Sequence, residues 1–161
     1  MHLNRPATAL FFCFVILGTA ARAQTLECRE FPDGEPQELS VSDGLLPPAF
    51  ASALNLDTHG LGSAICGNHL YFVAPTGKFI RAFIYDNGPD YFSAGEGLAR
   101  FVSRDGLIGY VDETLEIVIP ARYEDAFPFR NGKAKVLTVR GGARLWSWID
   151  ETGAQVPPGG Q

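Results

Sequence analysis

Three stretches of this chain fall under one another at a spacing of about 38 residues, and that repetition constrains the fold more than any other feature. They are Leu70-Tyr71-Phe72-Val73-Ala74-Pro75-Thr76-Gly77, Ile108-Gly109-Tyr110-Val111-Asp112-Glu113-Thr114-Leu115 and Trp146-Ser147-Trp148-Ile149-Asp150-Glu151-Thr152-Gly153. Each holds an aromatic, then a β-branched residue, then a Thr. A second block, Gly97-Leu98-Ala99-Arg100-Phe101-Val102-Ser103, aligns with Gly132-Lys133-Ala134-Lys135-Val136-Leu137-Thr138 at about 35 residues, and Phe92 then meets Phe127. A fixed period of this size marks a chain built from stacked supersecondary units.

Within a unit the pattern is β. Leu98–Ser103 and Leu107–Asp112 flank Arg104-Asp105-Gly106, and Asp-Gly between short apolar runs is a hairpin signal. Arg140-Gly141-Gly142-Ala143 joins Lys133–Val139 to Leu145–Asp150 in the same way. Alternation puts Ala99, Phe101 and Ser103 on one face and Leu98, Arg100 and Val102 on the other. In the next copy Lys133 and Lys135 fall on that second face, which is therefore the expected wetter one. Further strands are expected over Lys78–Tyr85 and Leu115–Ile119, the latter closed by Pro120, which cannot donate to a ladder. With 18 Gly and 11 Pro among 161 residues, the chain suits short strands and many turns and excludes a helical bundle.

Residues 1–23 carry Arg5, the apolar run Ala9–Leu17 and Ala21-Arg22-Ala23 before Gln24, the pattern of a secretory signal peptide. The run gives about 14 Å of helix against a hydrocarbon core of roughly 30 Å, too short for a span. An exported, soluble protein, periplasmic or extracellular, is expected, with no membrane insertion after signal cleavage. Losing the leader removes Cys13 and leaves Cys28 and Cys66, the pair expected to form one disulfide. A metal reading of Cys66-Gly67-Asn68-His69 has only Cys28 and His59 to complete it. Segment 24–66 has little repetitive patterning and is assigned as an irregular N-terminal cap over the open end of the array, with a helical turn or two after Pro48. Residues 67–158 form the repeat domain, and 159–161 a disordered tail.

The order Gly109-Tyr110-Val111-Asp112-Glu113-Thr114, Ile117-Val118-Ile119-Pro120, Tyr123-Glu124-Asp125-Ala126-Phe127-Pro128-Phe129 and Gly132-Lys133-Ala134-Lys135-Val136 resembles a unit of the bacterial WG β-repeat family. The Trp-Gly dipeptide itself reads Leu70-Tyr71, Ile108-Gly109 and Trp146-Ser147 in the three copies. The resemblance runs from about Asn68 to Pro158. It implies an all-β repeat protein, often exported, that binds or scaffolds and has no general catalytic residues. The expected fold class is accordingly all-β: short antiparallel hairpin repeats of about 35–38 residues in a small array, with a disulfide-tethered N-terminal cap.

The net charge of −5, with no basic block, excludes a nucleic-acid footprint. The Asp-Glu pairs at 112–113 and 150–151 abut turns, and neighbours on a strand point to opposite faces, so they read as turn residues and not as calcium ligands. Asp57, His59 and Ser63 form a loose acid–His–Ser set that near neighbours in a Gly-rich loop seldom bring together. Phe72, Tyr110, Trp146 and Trp148 are by default core residues. If exposed, Trp146 and Trp148, which share a strand face, are the candidate binding aromatics for a sugar or peptide. The expected function is an exported binding or scaffold module of the bacterial envelope, with a protein or envelope component as partner and no catalytic residue, metal or cofactor. The alternatives are a small exported hydrolase using the loop around His59, or a purely structural envelope protein.

Overall fold

The computed structural model describes residues 24–157; the leader 1–23, Pro158 and the tail 159–161 lie outside the described residues. The chain is almost entirely antiparallel β, as the repeat pattern predicts. In order, β1 (Gln24–Glu30), β2 (Gln37–Val41), a single helical turn α1 (Pro48–Ala51), β3 (Gly62–Cys66), β4 (His69–Val73) and β5 (Phe79–Arg81) build the first sheet. Its strand order is β2-β1-β3-β4-β5. A small hairpin, β6 (Ile84–Tyr85) with β7 (Gly88–Pro89), turns through Asp86 and Asn87, both at positive φ. The second sheet, in the order β10-β9-β8, contains β8 (Leu98–Val102), β9 (Ile108–Asp112) and β10 (Ile117–Tyr123). The third, ordered β11-β12-β13-β14, contains β11 (Asp125–Ala126), β12 (Lys133–Arg140), β13 (Ala143–Asp150) and β14 (Gln155–Val156).

Three hairpins, β3–β4, β8–β9 and β12–β13, are the repeating element. In each, a small residue stands opposite a β-branched one: Gly62 opposite Val73, Ala99 opposite Val111, Ala134 opposite Ile149, all buried. The segment 24–66 is therefore not irregular. Its last five residues are the first strand of the first repeat, displaced in alignment because the β3–β4 turn is only Gly67-Asn68, whereas Ser103–Leu107 joins β8 to β9. In the rest of the segment β1 pairs with β3 and covers its edge. Leu39, Val41, Leu46 and Phe50 pack against Ala64 and Val73 in one cluster. Cys28 and Cys66 stand directly opposite each other across β1 and β3 and form the disulfide.

Two further expectations change. Lys78–Tyr85 is broken into β5 and β6, and an isolated bridge between Ala82 and Phe101 ties the first sheet to the second there. Pro120 does not end its strand, since β10 continues to Tyr123 with register shifts on either side of Ile119. β10 is an edge strand, where a missing donor costs no ladder bond. The irregular β10 also explains the Gly of the second dipeptide. A Cβ on Gly109 would lie 2.5 Å from the Ile119 carbonyl oxygen and 2.7 Å from the Ala121 nitrogen.

The turn after each second strand is shared. Gly77, Leu115 and Gly153 occupy its left-handed position, with φ of 89°, 61° and 80°. Leu115 departs from glycine because its side chain is 1% exposed, among Leu61, Phe72, Phe92 and Ala99 between the first and second repeats. Burial there offsets the backbone strain.

Candidate functional site: an aromatic and basic cleft on the third repeat

The register of β12 and β13 sets Lys135 opposite Trp148 and Leu137 opposite Trp146, so both lysines of β12 and both tryptophans of β13 share one face. Phe72 and Tyr110 are core residues, as expected, but Trp146 is 44% exposed and Trp148 only half-buried. The difference has a local cause. Phe92, in the lead into β8, packs on Phe72 with ring centroids 5.4 Å apart. Phe129, in the lead into β12, packs edge-on against Tyr110 at 4.8 Å. Among the described residues no third phenylalanine reaches Trp148.

Phe129, not Phe127, is thus the counterpart of Phe92. The lead into β12 is the shorter of the two: Arg130 donates to the carbonyl of Lys133, whereas Ser93 donates to that of Leu98. Phe127 is left over and 51% exposed, its ring 5.7 Å from that of Trp146.

Two buried polar side chains hold this exposed segment from beneath. Arg100, placed by alternation on the wetter face, is 5% exposed. Its Nε donates to Asp90 Oδ2 and its Nη2 to Asp90 Oδ1, both at 2.8 Å, and the Arg100 backbone N–H donates to Asp90 Oδ2 as well. Nη1 donates to the carbonyl of Ala126 at 2.9 Å, and the Phe83 ring lies 4.1 Å from the guanidinium. A buried ion pair is tolerable only with its donors and lone pairs met, as here. The Tyr110 hydroxyl donates to the carbonyl of Phe127 at 2.7 Å, and the Phe127 N–H donates to Lys135. Burial pushes the Tyr110 phenol above its ordinary range, against the pull of Arg100, and keeps it a donor.

Above this floor lies a cleft of about 670 Å³. It is lined by Tyr85 and Tyr91, whose rings meet edge-on at 5.4 Å, and by Trp148, Lys133 and Lys135. Asp125, Phe127 and Arg130 line it as well. Arg130, Lys133 and Lys135 make no ion pair among the described residues. Lys135 Nζ instead stands 5.2 Å from the Trp146 ring. The cleft can therefore offer flat apolar surfaces and three cations beside the single carboxylate of Asp125, in a chain whose net charge is negative.

The other candidates are structural in their geometry. Asp57 Oδ1 accepts the backbone N–H groups of His59 and Leu61, so it closes its own loop and does not orient the imidazole. His59 Nδ1 meets Glu113 Oε1 at 3.0 Å, while Ser63 is held in β3 opposite Phe72. Cys66 of the C-x2-H arrangement and Cys28, which was to complete it, are both taken by the disulfide. Asp112 Oδ1 accepts from the Thr114 hydroxyl and from the N–H groups of Thr114 and Glu116. Asp150 repeats this with Thr152 and Ala154. These bonds lower the pKa of both carboxyls, led by the threonine hydroxyl in Asp150 and outweighing desolvation in Asp112.

Residues 108–138 match the WG containing repeat. The match opens at β9 and runs through the Leu115 turn, β10 and β11 into β12, so it takes in the Phe129 plug and the cleft residues from Asp125 to Lys135, but not Trp148. No curated protein and no solved structure matches the chain. No helix among the described residues is long and apolar enough to cross a membrane.

Proposed function

We propose that this WG-repeat chain is an exported, non-catalytic binding module of the bacterial envelope, and that its partner docks in the cleft beside Trp148. Export is supported by the leader pattern of residues 1–23 and by the disulfide, a bond that persists in oxidising compartments. Binding is supported by one observation above all: among the described residues, the aromatic face that a phenylalanine covers in the first two repeats is open in the third, next to cations without ion pairs. Contiguous exposed aromatic surface of this kind is uncommon on a protein without a ligand or partner. The floor of the cleft is fixed by Arg100 and Tyr110, so little ordering cost falls on binding.

The test presents the chain from Gln24 onwards to an array of defined glycans and peptides, beside a Trp148→Leu, Lys135→Gln variant whose fold is checked by circular dichroism. The proposal expects at least one ligand held by the parent and lost by the variant. Retention of the same ligands by both, or of none by the parent, would refute it. Cell fractionation with amino-terminal sequencing tests export, with Gln24 expected as the first residue of the envelope form.

A further inference from the structure

The hairpin β8–β9 displays what this face of a repeat accepts when it is filled. Arg100 and Tyr110 stand opposite each other across the two strands. The guanidinium receives a carboxylate, Asp90, from the segment that precedes the hairpin. The phenol ring receives a phenyl group, Phe129, from the segment that follows it. In β12–β13 the same two positions hold Lys135 and Trp148, again directly opposite each other. Here, among the described residues, Lys135 has no carboxylate within ion-pairing distance and Trp148 no phenyl plug. Asp125, which aligns with Asp90 at the same spacing as Lys135 with Arg100, lines the cleft, but its Oδ1 accepts the N–H of Ala126.

We infer that the cleft accepts an acidic peptide segment carrying a phenylalanine or tyrosine close to an aspartate or glutamate. The carboxylate would rest among Lys135, Lys133 and Arg130, and the ring would lie on Trp148 beside Phe127. This deepens the proposal that the cleft is the docking site and rests on it. Charge complementarity favours an acidic ligand, because three cations that make no ion pair among the described residues line the cleft against the one carboxylate of Asp125. The internal precedent favours a peptide over a sugar, because both groups that fill the β8–β9 face are side chains of extended segments in this chain. The volume of about 670 Å³ suits a short segment bearing one large ring.

The probe is a synthetic peptide with the sequence of residues 86–94, which contains Asp90, Tyr91 and Phe92. Binding to the disulfide-bonded chain is followed by calorimetry at low salt. The expected result is saturable binding at a single site, weakened about tenfold or more by Lys135→Gln in the protein or Asp90→Asn in the peptide, since each removes one charge-assisted contact. Trp148→Leu in the protein and Phe92→Ala in the peptide should weaken it comparably, and added salt should weaken the parent pair. Equal binding to the parent and the Lys135→Gln and Trp148→Leu proteins would overturn the inference, as would binding that ignores the peptide substitutions. A galacturonate trimer is titrated in parallel. If it binds in a Trp148-dependent way and the peptide does not, the peptide class is wrong and the cleft reading survives. If neither binds, the peptide class fails, and the array above decides the cleft reading separately.

Discussion

Replacing Leu115 by glycine sets two effects of known sign against each other. Leucine at φ 61° is in the left-handed region, which costs an L-residue with a Cβ roughly 1–2 kcal/mol. Glycine removes that strain but adds about 0.5–1 kcal/mol of unfolded-state entropy to be lost on folding. On the other side, the side chain is 1% exposed, among Leu61, Phe72 and Phe92. Truncating such a leucine to alanine costs about 2.7–5 kcal/mol, the larger values where the cavity cannot collapse. Aromatic rings and paired strands border this site, so little collapse is expected. The net prediction for Leu115→Gly is destabilisation by about 2–4 kcal/mol, read as a lower urea midpoint with an unchanged slope. A parent-like or raised midpoint would show that turn strain outweighs burial, and that Leu115 does not hold the first two repeats together. Gly153→Leu is the companion. It places a leucine at the same turn position where a Cβ already lies 2.9 Å from Arg122 Nη2 and 3.1 Å from Ile119 Cγ2, so it should destabilise without compensation.

Tyr110→Phe removes the donor to Phe127 and leaves that carbonyl without its partner; a loss of about 1–3 kcal/mol is expected in urea unfolding. A difference below a few tenths of a kcal/mol would mean that the bond does not hold the segment. Cys28→Ser with Cys66→Ser opens a closure spanning 38 residues and should cost about 4 kcal/mol in the chain-entropy account. Thiol labelling of the unfolded, unreduced mature parent should find no free thiol. The Asp112 and Asp150 carboxyls have folded pKa values below the ordinary Asp value, so they bind protons more weakly when folded. Their contribution to stability is therefore complete above about pH 4 and lost as pH falls through the folded values. Carbon-detected NMR titration should place both midpoints below that of an unstructured Asp, and midpoints at or above it would contradict the turn bonding.

The readable parts of the sequence were those fixed by local chemistry. Asp105-Gly106 and Gly141-Gly142 mark two hairpins because the positive φ values of Gly106, Gly141 and Gly142 suit glycine. The expected loss of Cys13 with a signal peptide leaves Cys28 and Cys66 as the pair, on composition alone. The hidden parts depend on what lies across space. Arg100 alternates with apolar residues as a surface cation does, and nothing local reveals that Asp90, within a stretch resembling a loop insertion, arrives to neutralise it. The first repeat's opening strand escaped because Gly62 replaces the expected alanine and a shorter turn shifts its alignment. Leu39 and Val41, alternating with polar residues in an acidic stretch, were the available sign of β2. For the site, the two-residue spacing of Trp146 and Trp148 gave the shared face. Their exposure could not be read, because it depends on the phenylalanine plug that the third repeat lacks and the other two possess.

The central claim is that Trp148 is open in the free protein and covered by the ligand. The chain has two tryptophans, so Trp146→Phe leaves Trp148 as the single reporter. Acrylamide quenching of its fluorescence is measured in the free protein and after saturation with a ligand selected on the array. The account predicts ready quenching in the free protein and marked protection in the complex. A Trp148 shielded before any ligand is added, or equally quenched with the ligand bound, would contradict it.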